Sequence, residues 1–146
     1  MISLKPITHQ NIDDFDGTEY ETMTSEQRRT LIEESIGKTH NGAYFEFLVV
    51  YREHTVIGFM NLYAHSAHII SCGPTIKEPY RKNGFGCLAE TMALEYAKEK
   101  GYTIAVGGVE DTNAASIALH EKLGFELDRT FSNKRGKTIR LYIKAL

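Results

Sequence analysis

Phe85, Leu88, Met92 and Tyr96 recur at helical spacing between Gly84 and Gly101, which predicts a helix opened beside one glycine and capped at the other. Ahead of it stands Arg81-Lys82-Asn83-Gly84-Phe85-Gly86, two glycines with a basic pair. A helix start offers free N–H groups and the positive end of the backbone dipole, and glycine allows an approach that a Cβ would forbid. An anion of pyrophosphate size suits that combination, with Arg81 and Lys82 adding formal charge beside it. The same residues would also make an ordinary solvated turn. Gly84-Phe85-Gly86-Cys87-Leu88-Ala89 fits the dinucleotide fingerprint G-x-G-x-x-G/A as well. A dinucleotide loop follows its strand almost directly, whereas Lys77-Glu78-Pro79-Tyr80-Arg81-Lys82-Asn83 intervenes here and cannot be a buried parallel strand. Glu110, near the spacing of a ribose-binding acid, keeps that alternative open.

The remaining elements follow from period and punctuation. Ile2 to Pro6 reads as a strand, with a helix expected around His9 to Phe15. Thr24 with Gln27 forms a capping box for a helix reaching about Ile36 and stopping at Gly37. Tyr44 to Tyr51 and Val56 to Tyr63 are rich in β-branched and aromatic residues and read as a hairpin, followed by a strand from about Ala67 to Ile76. Beyond the central helix come a strand over Tyr102 to Val109, a helix over Asn113 to Leu123 closed by Gly124, and strands over Phe125 to Phe131 and Thr138 to Ile143. No linker or repeat interrupts the order. The fold class expected is α/β (α+β), one domain over residues 1–146 around a central mixed β-sheet flanked by helices.

The longest apolar run, Phe47-Leu48-Val49-Val50-Tyr51, is far too short to cross a membrane. Met1-Ile2-Ser3-Leu4-Lys5-Pro6 has neither the basic nor the apolar region of a secretory signal, so a cytoplasmic chain is expected. Cys72 and Cys87 make no disulfide framework and are expected as reduced thiols; no metal is expected either, since His65 and His68 lack a third ligand at a recognised spacing. A net charge of −2 gives no electrostatic footprint for nucleic acid. Residues 1–65 carry ten acids and five bases, and residues 66–146 nine and twelve, so the C-terminal half suits an anionic ligand better.

Arg81 to Gly86 resembles the R/Q-x-x-G-x-G/A pyrophosphate loop of the GNAT acetyltransferases. A second block, Asn113-Ala114-Ala115-Ser116-Ile117-Ala118-Leu119-His120-Glu121-Lys122-Leu123-Gly124-Phe125-Glu126, is similar to that superfamily's N-x-x-A-x-x-x-Y-x-K-x-G-F ending, with the aromatic replaced by His120. The resemblance covers about Ile70 to Phe131. It implies acceptor-side elements over about residues 1–65 and a cofactor-binding core over about 66–131, with splayed strands ending near Ile76 and Val109 that hold acetyl-CoA. Thr75 and Ile76 would pair with the amides of the pantetheine arm. Arg81, Lys82, Asn83, Gly84, Phe85 and Gly86 would take the pyrophosphate, Asn113 and Ser116 would line the thiol end, and Lys122 would reach a phosphate. Residues 113, 116 and 120 share a helix face independently of the resemblance.

In the ribosomal-protein alanine acetyltransferases a glutamate five residues before the helix asparagine is the base and a tyrosine seven after it is the acid. Those positions hold Gly108 and His120. The glutamate therefore does not carry over, while His120 is the candidate acid and Glu78, with Glu110 and Glu46 beside it, the candidate base. The resemblance implies N-acetyl transfer to a primary amine of a small molecule or peptide. Asp13, Asp14, Asp16, Glu19 and Glu21 suggest a cationic one. The alternatives are an acyl-CoA-binding domain without turnover and a dinucleotide-binding protein. Oligomeric state stays open, with a homodimer through exposed hairpin edges one expectation.

Overall fold

A hairpin apolar on both sides organises the computed structural model, which describes residues 1–146. Alternate residues of a strand face opposite ways. In β3 (Ala43–Arg52), Phe45, Phe47 and Val49 therefore join one core cluster while Leu48 and Val50 join another. Its partner β4 (Thr55–Ala64) divides in the same way, with Phe59 on the first side and Met60 and Leu62 on the second. A sheet built on such a hairpin needs cover on both faces.

The remaining strands are β1 (Ile2–Pro6), the short β2 (Thr39–His40), β5 (Ile69–Ile76), β6 (Ile104–Glu110), β7 (Glu126–Ser132) and β8 (Thr138–Ala145). The order across the sheet is β1-β3-β4-β5-β6-β8-β7, with β2 on β3, and every pairing is antiparallel except that of β5 with β6. Parallel neighbours need a crossover, and α2 (Phe85–Glu99) supplies it. Ala89, Ala93, Leu94 and Ala97 of α2 pack on Leu48, Met60, Leu62, Ile70 and Cys72, and Ile117 of α3 (Ala114–Lys122) joins the same cluster. The opposite face is covered by α1 (Ser25–Ile36), through Ile32, and by Phe15, whose ring stacks on Phe59 at 4.9 Å.

Capping chemistry explains two boundaries. Thr24 and Gln27 satisfy each other's backbone N–H groups, starting α1 where the sequence predicts. The helix expected over His9 to Phe15 is only a 3-10 turn over His9–Asn11. Asn11 Oδ1 accepts from Thr8 N at 3.0 Å and Thr8 Oγ1 accepts from Gln10 N at 3.3 Å, so side chains satisfy the backbone and no longer helix is needed. The following segment is tied down by Arg28 of α1, which donates to the carbonyls of Ile12, Glu21 and Met23 and to Asp16. No helix is long and apolar enough to cross a membrane.

Candidate functional site

The parallel pairing of β5 and β6 is brief. Only Ile69 with Ile104 and Ile70 with Ala105 are in register, after which β5 continues along β4 and β6 along β8. Ser71 closes the apex by donating from Oγ to the Val106 carbonyl at 2.9 Å. Beyond it the two strands part, and a cleft of about 530 Å³ opens, lined by Thr75, Ile76, Arg81, Asn113, Ser116 and Glu19 among others. Five of these six were expected from the sequence, drawn from β5, the loop before α2 and the start of α3.

The loop is built to leave its helix end open. Gly84, the residue before α2, has φ of 79° and no side chain to cap the first turn, so the N–H groups there have no side-chain acceptor. Lys82 is also left-handed, with φ of 64°, and Asn83 holds the turn by donating to the carbonyls of Tyr80 and Arg81. A Cβ added at Gly86 would reach only the side chains of Ile76 and Pro74, at 3.7 and 3.8 Å. This donor set fits a pyrophosphate. Arg81 folds back so that its Nε donates to the Ile76 carbonyl at 2.8 Å; that carbonyl, expected to meet the pantetheine arm, is thus already engaged. Phe85 lies under the Arg52 guanidinium at 5.3 Å and packs against the core.

Three other expected residues stand apart from the cleft lining. Lys122 is exposed at the far end of α3, about 13 Å along the axis from Asn113 at 1.5 Å per residue. Glu78 is exposed in the 3-10 turn Glu78–Tyr80. His120 shares a helix with Asn113 and Ser116 but turns toward the sheet. It is buried between Phe125 and Tyr142, with ring centroids at 4.9 and 5.4 Å. Its Nδ1 lies 2.7 Å from the Ser116 carbonyl, to which a protonated nitrogen donates, and 3.4 Å from Ser116 Oγ. The ring occupies the space over Gly107, where an added Cβ would stand 2.5 Å from Nε2.

Glu19 is the lining residue that sequence reasoning placed only in an acidic stretch. Its carboxylate accepts from Thr75 Oγ1 at 3.0 Å across 56 residues of chain, a pairing with no local signal. Other acids of that stretch are engaged internally: Asp14 accepts from Asn11 and Asp16 from Arg28. Of the remaining candidate bases, Glu46 is buried and accepts from the hydroxyls of Tyr44 and Tyr96 at 2.6 and 2.8 Å, while Glu110 is exposed at the end of β6. Cys72 is a buried thiol whose pKa burial pushes up to about 12, which removes it as a nucleophile at neutral pH.

The arrangement matches known proteins. The acetyltransferase (GNAT) domain family matches residues 6–126. The L-methionine sulfoximine/L-methionine sulfone acetyltransferases of Pseudomonas aeruginosa and Pseudomonas paraeruginosa are 33% identical to it over 70 residues, covering 48% of this chain and only 37% of each relative. The crystal structure of a ribosomal-protein-alanine N-acetyltransferase from Brucella melitensis superposes with a TM-score of 0.81 at 23% identity, over 99% of both chains. A GNAT family acetyltransferase from Elizabethkingia anophelis, solved with acetyl-CoA bound, superposes with a TM-score of 0.72 at 17% identity, over 99% of this chain and 98% of its own. A putative acetyltransferase from Salmonella typhimurium, solved with its cofactor acetyl-CoA, gives 0.78 at 16% identity, over 99% and 94%. With the family matched across most of the chain, the chain belongs to the GNAT acetyltransferases, for which acetyl-CoA is the cofactor.

Proposed function

We propose that this chain transfers the acetyl group of acetyl-CoA directly to a primary amine of a small molecule or peptide. The observation that carries the reading is the parting of β5 from β6 into a cleft that ends at the uncapped start of α2. When bound, acetyl-CoA supplies the activated thioester acyl group. The first turn of α2, with Arg81 and Lys82, holds the pyrophosphate, and the free edge of β5 beyond Ser71 lines the pantetheine arm. Asn113 and Ser116 line the thiol end.

Acyl transfer needs a proton removed from the ammonium and one delivered to the thiolate. Glu19 is the carboxylate in the cleft lining and accepts the first, in place of Glu78, which is not part of that lining. Ser116 lines the cleft; its hydroxyl donates the second and recovers a proton from solvent. His120 is its positioning residue, fixing Ser116 from behind through Nδ1. This replaces the direct contact with the thiol expected of His120 from the sequence.

The test is thiol release from acetyl-CoA across a panel of primary amines. Amine-dependent release supports transfer. Tight acetyl-CoA binding with no release for any amine would instead make the chain an acyl-CoA-binding domain without turnover.

A further inference from the structure

His65 stands exposed in the turn after β4, where its backbone N–H donates to the Ile69 carbonyl at 2.8 Å and its ring meets Tyr63 edge-on at 5.5 Å. Its Nε2 lies 2.6 Å from Ser71 Oγ, and that oxygen lies 2.9 Å from the Val106 carbonyl. A carbonyl only accepts, so the one hydroxyl hydrogen of Ser71 goes to Val106 and the bond to His65 is donated by the imidazole Nε2–H. His65, Ser71 and Val106 thus form one hydrogen-bonded chain that reaches from the turn after β4 across β5 to β6.

The bond to Val106 stands where the sheet ladder breaks off. Ile104 N donates to the His68 carbonyl at 3.2 Å, and Ile69 and Ile70 pair with Ile104 and Ala105. In a parallel ladder every second residue of β5 turns its N–H and C=O toward β6, so after Ile70 the next bond would run from the Cys72 N–H to the Val106 carbonyl. The pairing ends one step short of it, and the Ser71 hydroxyl occupies that carbonyl instead. On the other side Lys77 N donates to the Ile57 carbonyl at 2.8 Å, which turns the odd-numbered N–H groups of β5 toward β4 and leaves Cys72 facing β6. Two residues on, Pro74 has no N–H with which to resume the ladder. The Cys72 N–H is therefore the one β5 donor left open between the apex and Ile76.

We infer that Ser71 is the positioning residue for the acyl group: its hydroxyl, held by His65, keeps the Val106 carbonyl from the Cys72 N–H and leaves the next ladder step open for the acyl end of the cofactor. The inference rests on the acetyl-CoA cleft described above. Alanine at this position has nothing to offer the carbonyl. The amide and the carbonyl would then pair with each other, since each is costly to leave unpaired. The strands would close by one step, about 3.3 Å per residue, and the Cys72 N–H would no longer be free to meet the thioester oxygen. Coenzyme A without an acyl group does not need that step and would keep its hold on the start of α2. Loss of the hydroxyl is thus selective against the acylated cofactor.

The experiment compares calorimetric titrations of acetyl-CoA and of coenzyme A into the native chain, Ser71→Ala, Ser71→Thr and His65→Ala, each checked for folding by its thermal midpoint. Amide hydrogen exchange at Cys72 is read in the unliganded proteins. Expected in Ser71→Ala are an acetyl-CoA affinity about tenfold weaker, a coenzyme A affinity within about threefold of native, and slower exchange of the Cys72 amide. Ser71→Thr keeps the hydroxyl and is expected to recover most of the acetyl-CoA affinity. His65→Ala, at an exposed position, is expected to weaken acetyl-CoA about threefold with the same selectivity, and it carries the test if Ser71→Ala does not fold. Equal losses for both ligands, an unmoved acetyl-CoA affinity in either alanine variant, unchanged Cys72 exchange in Ser71→Ala, or a Ser71→Thr protein no better than Ser71→Ala would each overturn the role of Ser71. A native chain that binds neither ligand would overturn the cofactor cleft itself.

Discussion

Replacing Glu90 by glutamine perturbs a carboxyl on the buried face of α2 that is only 1% exposed and whose two oxygens have no hydrogen-bond partner. Burial alone pushes its pKa from 4.5 up to about 8, because a carboxylate there would lose its water and gain nothing in return. As pH rises above 4.5 the unfolded chain releases this proton while the folded chain keeps it until about pH 8. The unfolded state then binds fewer protons, and stability falls by ~1.4 kcal/mol per pH unit through that window. The loss reaches about 3 kcal/mol at pH 7 and about 5 kcal/mol above pH 8. Glutamine is close to isosteric and does not titrate. Guanidinium unfolding at several pH values is therefore expected to show the two proteins about equally stable near pH 4 and Glu90→Gln about 3 kcal/mol more stable at pH 7. Stability curves that stay parallel from roughly pH 5 to pH 8 would refute the burial argument.

Gly107→Ala would place a methyl 2.5 Å from His120 Nε2, on a ring held between Phe125 and Tyr142, and is expected to cost about 1–3 kcal/mol in unfolding free energy. Arg28→Met removes donors from three backbone carbonyls and from Asp16; a loss of about 2–4 kcal/mol is expected by the same measurement. Ser116→Ala is expected to lower kcat about tenfold or more with acetyl-CoA affinity near native. His120→Phe keeps an aromatic ring in the stack but loses the contacts to Ser116. It should lower kcat and alter the pH profile, and native values of both would leave His120 a packing residue.

What the sequence revealed was what local chemistry encodes. The helical period from Phe85 and the capping box at Thr24 placed α2 and α1 within a residue or two of their observed starts, and the Arg81 to Gly86 loop was readable because its glycines serve backbone geometry. Side-chain direction within a helix was less legible. Residues 113, 116 and 120 do share a helix, yet His120 is drawn away from the cleft by the space over Gly107 and by Phe125 and Tyr142, all distant in sequence or beyond the helix. Glu19 entered the site through a bond to Thr75 that depends on how the N-terminal segment packs on the sheet.

Calorimetric titration of acetyl-CoA into the native chain and into Gly86→Val tests the cofactor cleft most directly. A Cβ at Gly86 meets Ile76 and Pro74 only at ordinary contact distance, so the variant should fold, while valine's bulk would obstruct the pyrophosphate's approach to the start of α2. The cleft as described predicts saturable binding by the native chain, and affinity at least about tenfold weaker in Gly86→Val at a near-native thermal midpoint. Absence of binding by the native chain, or unchanged affinity in the folded variant, would contradict it.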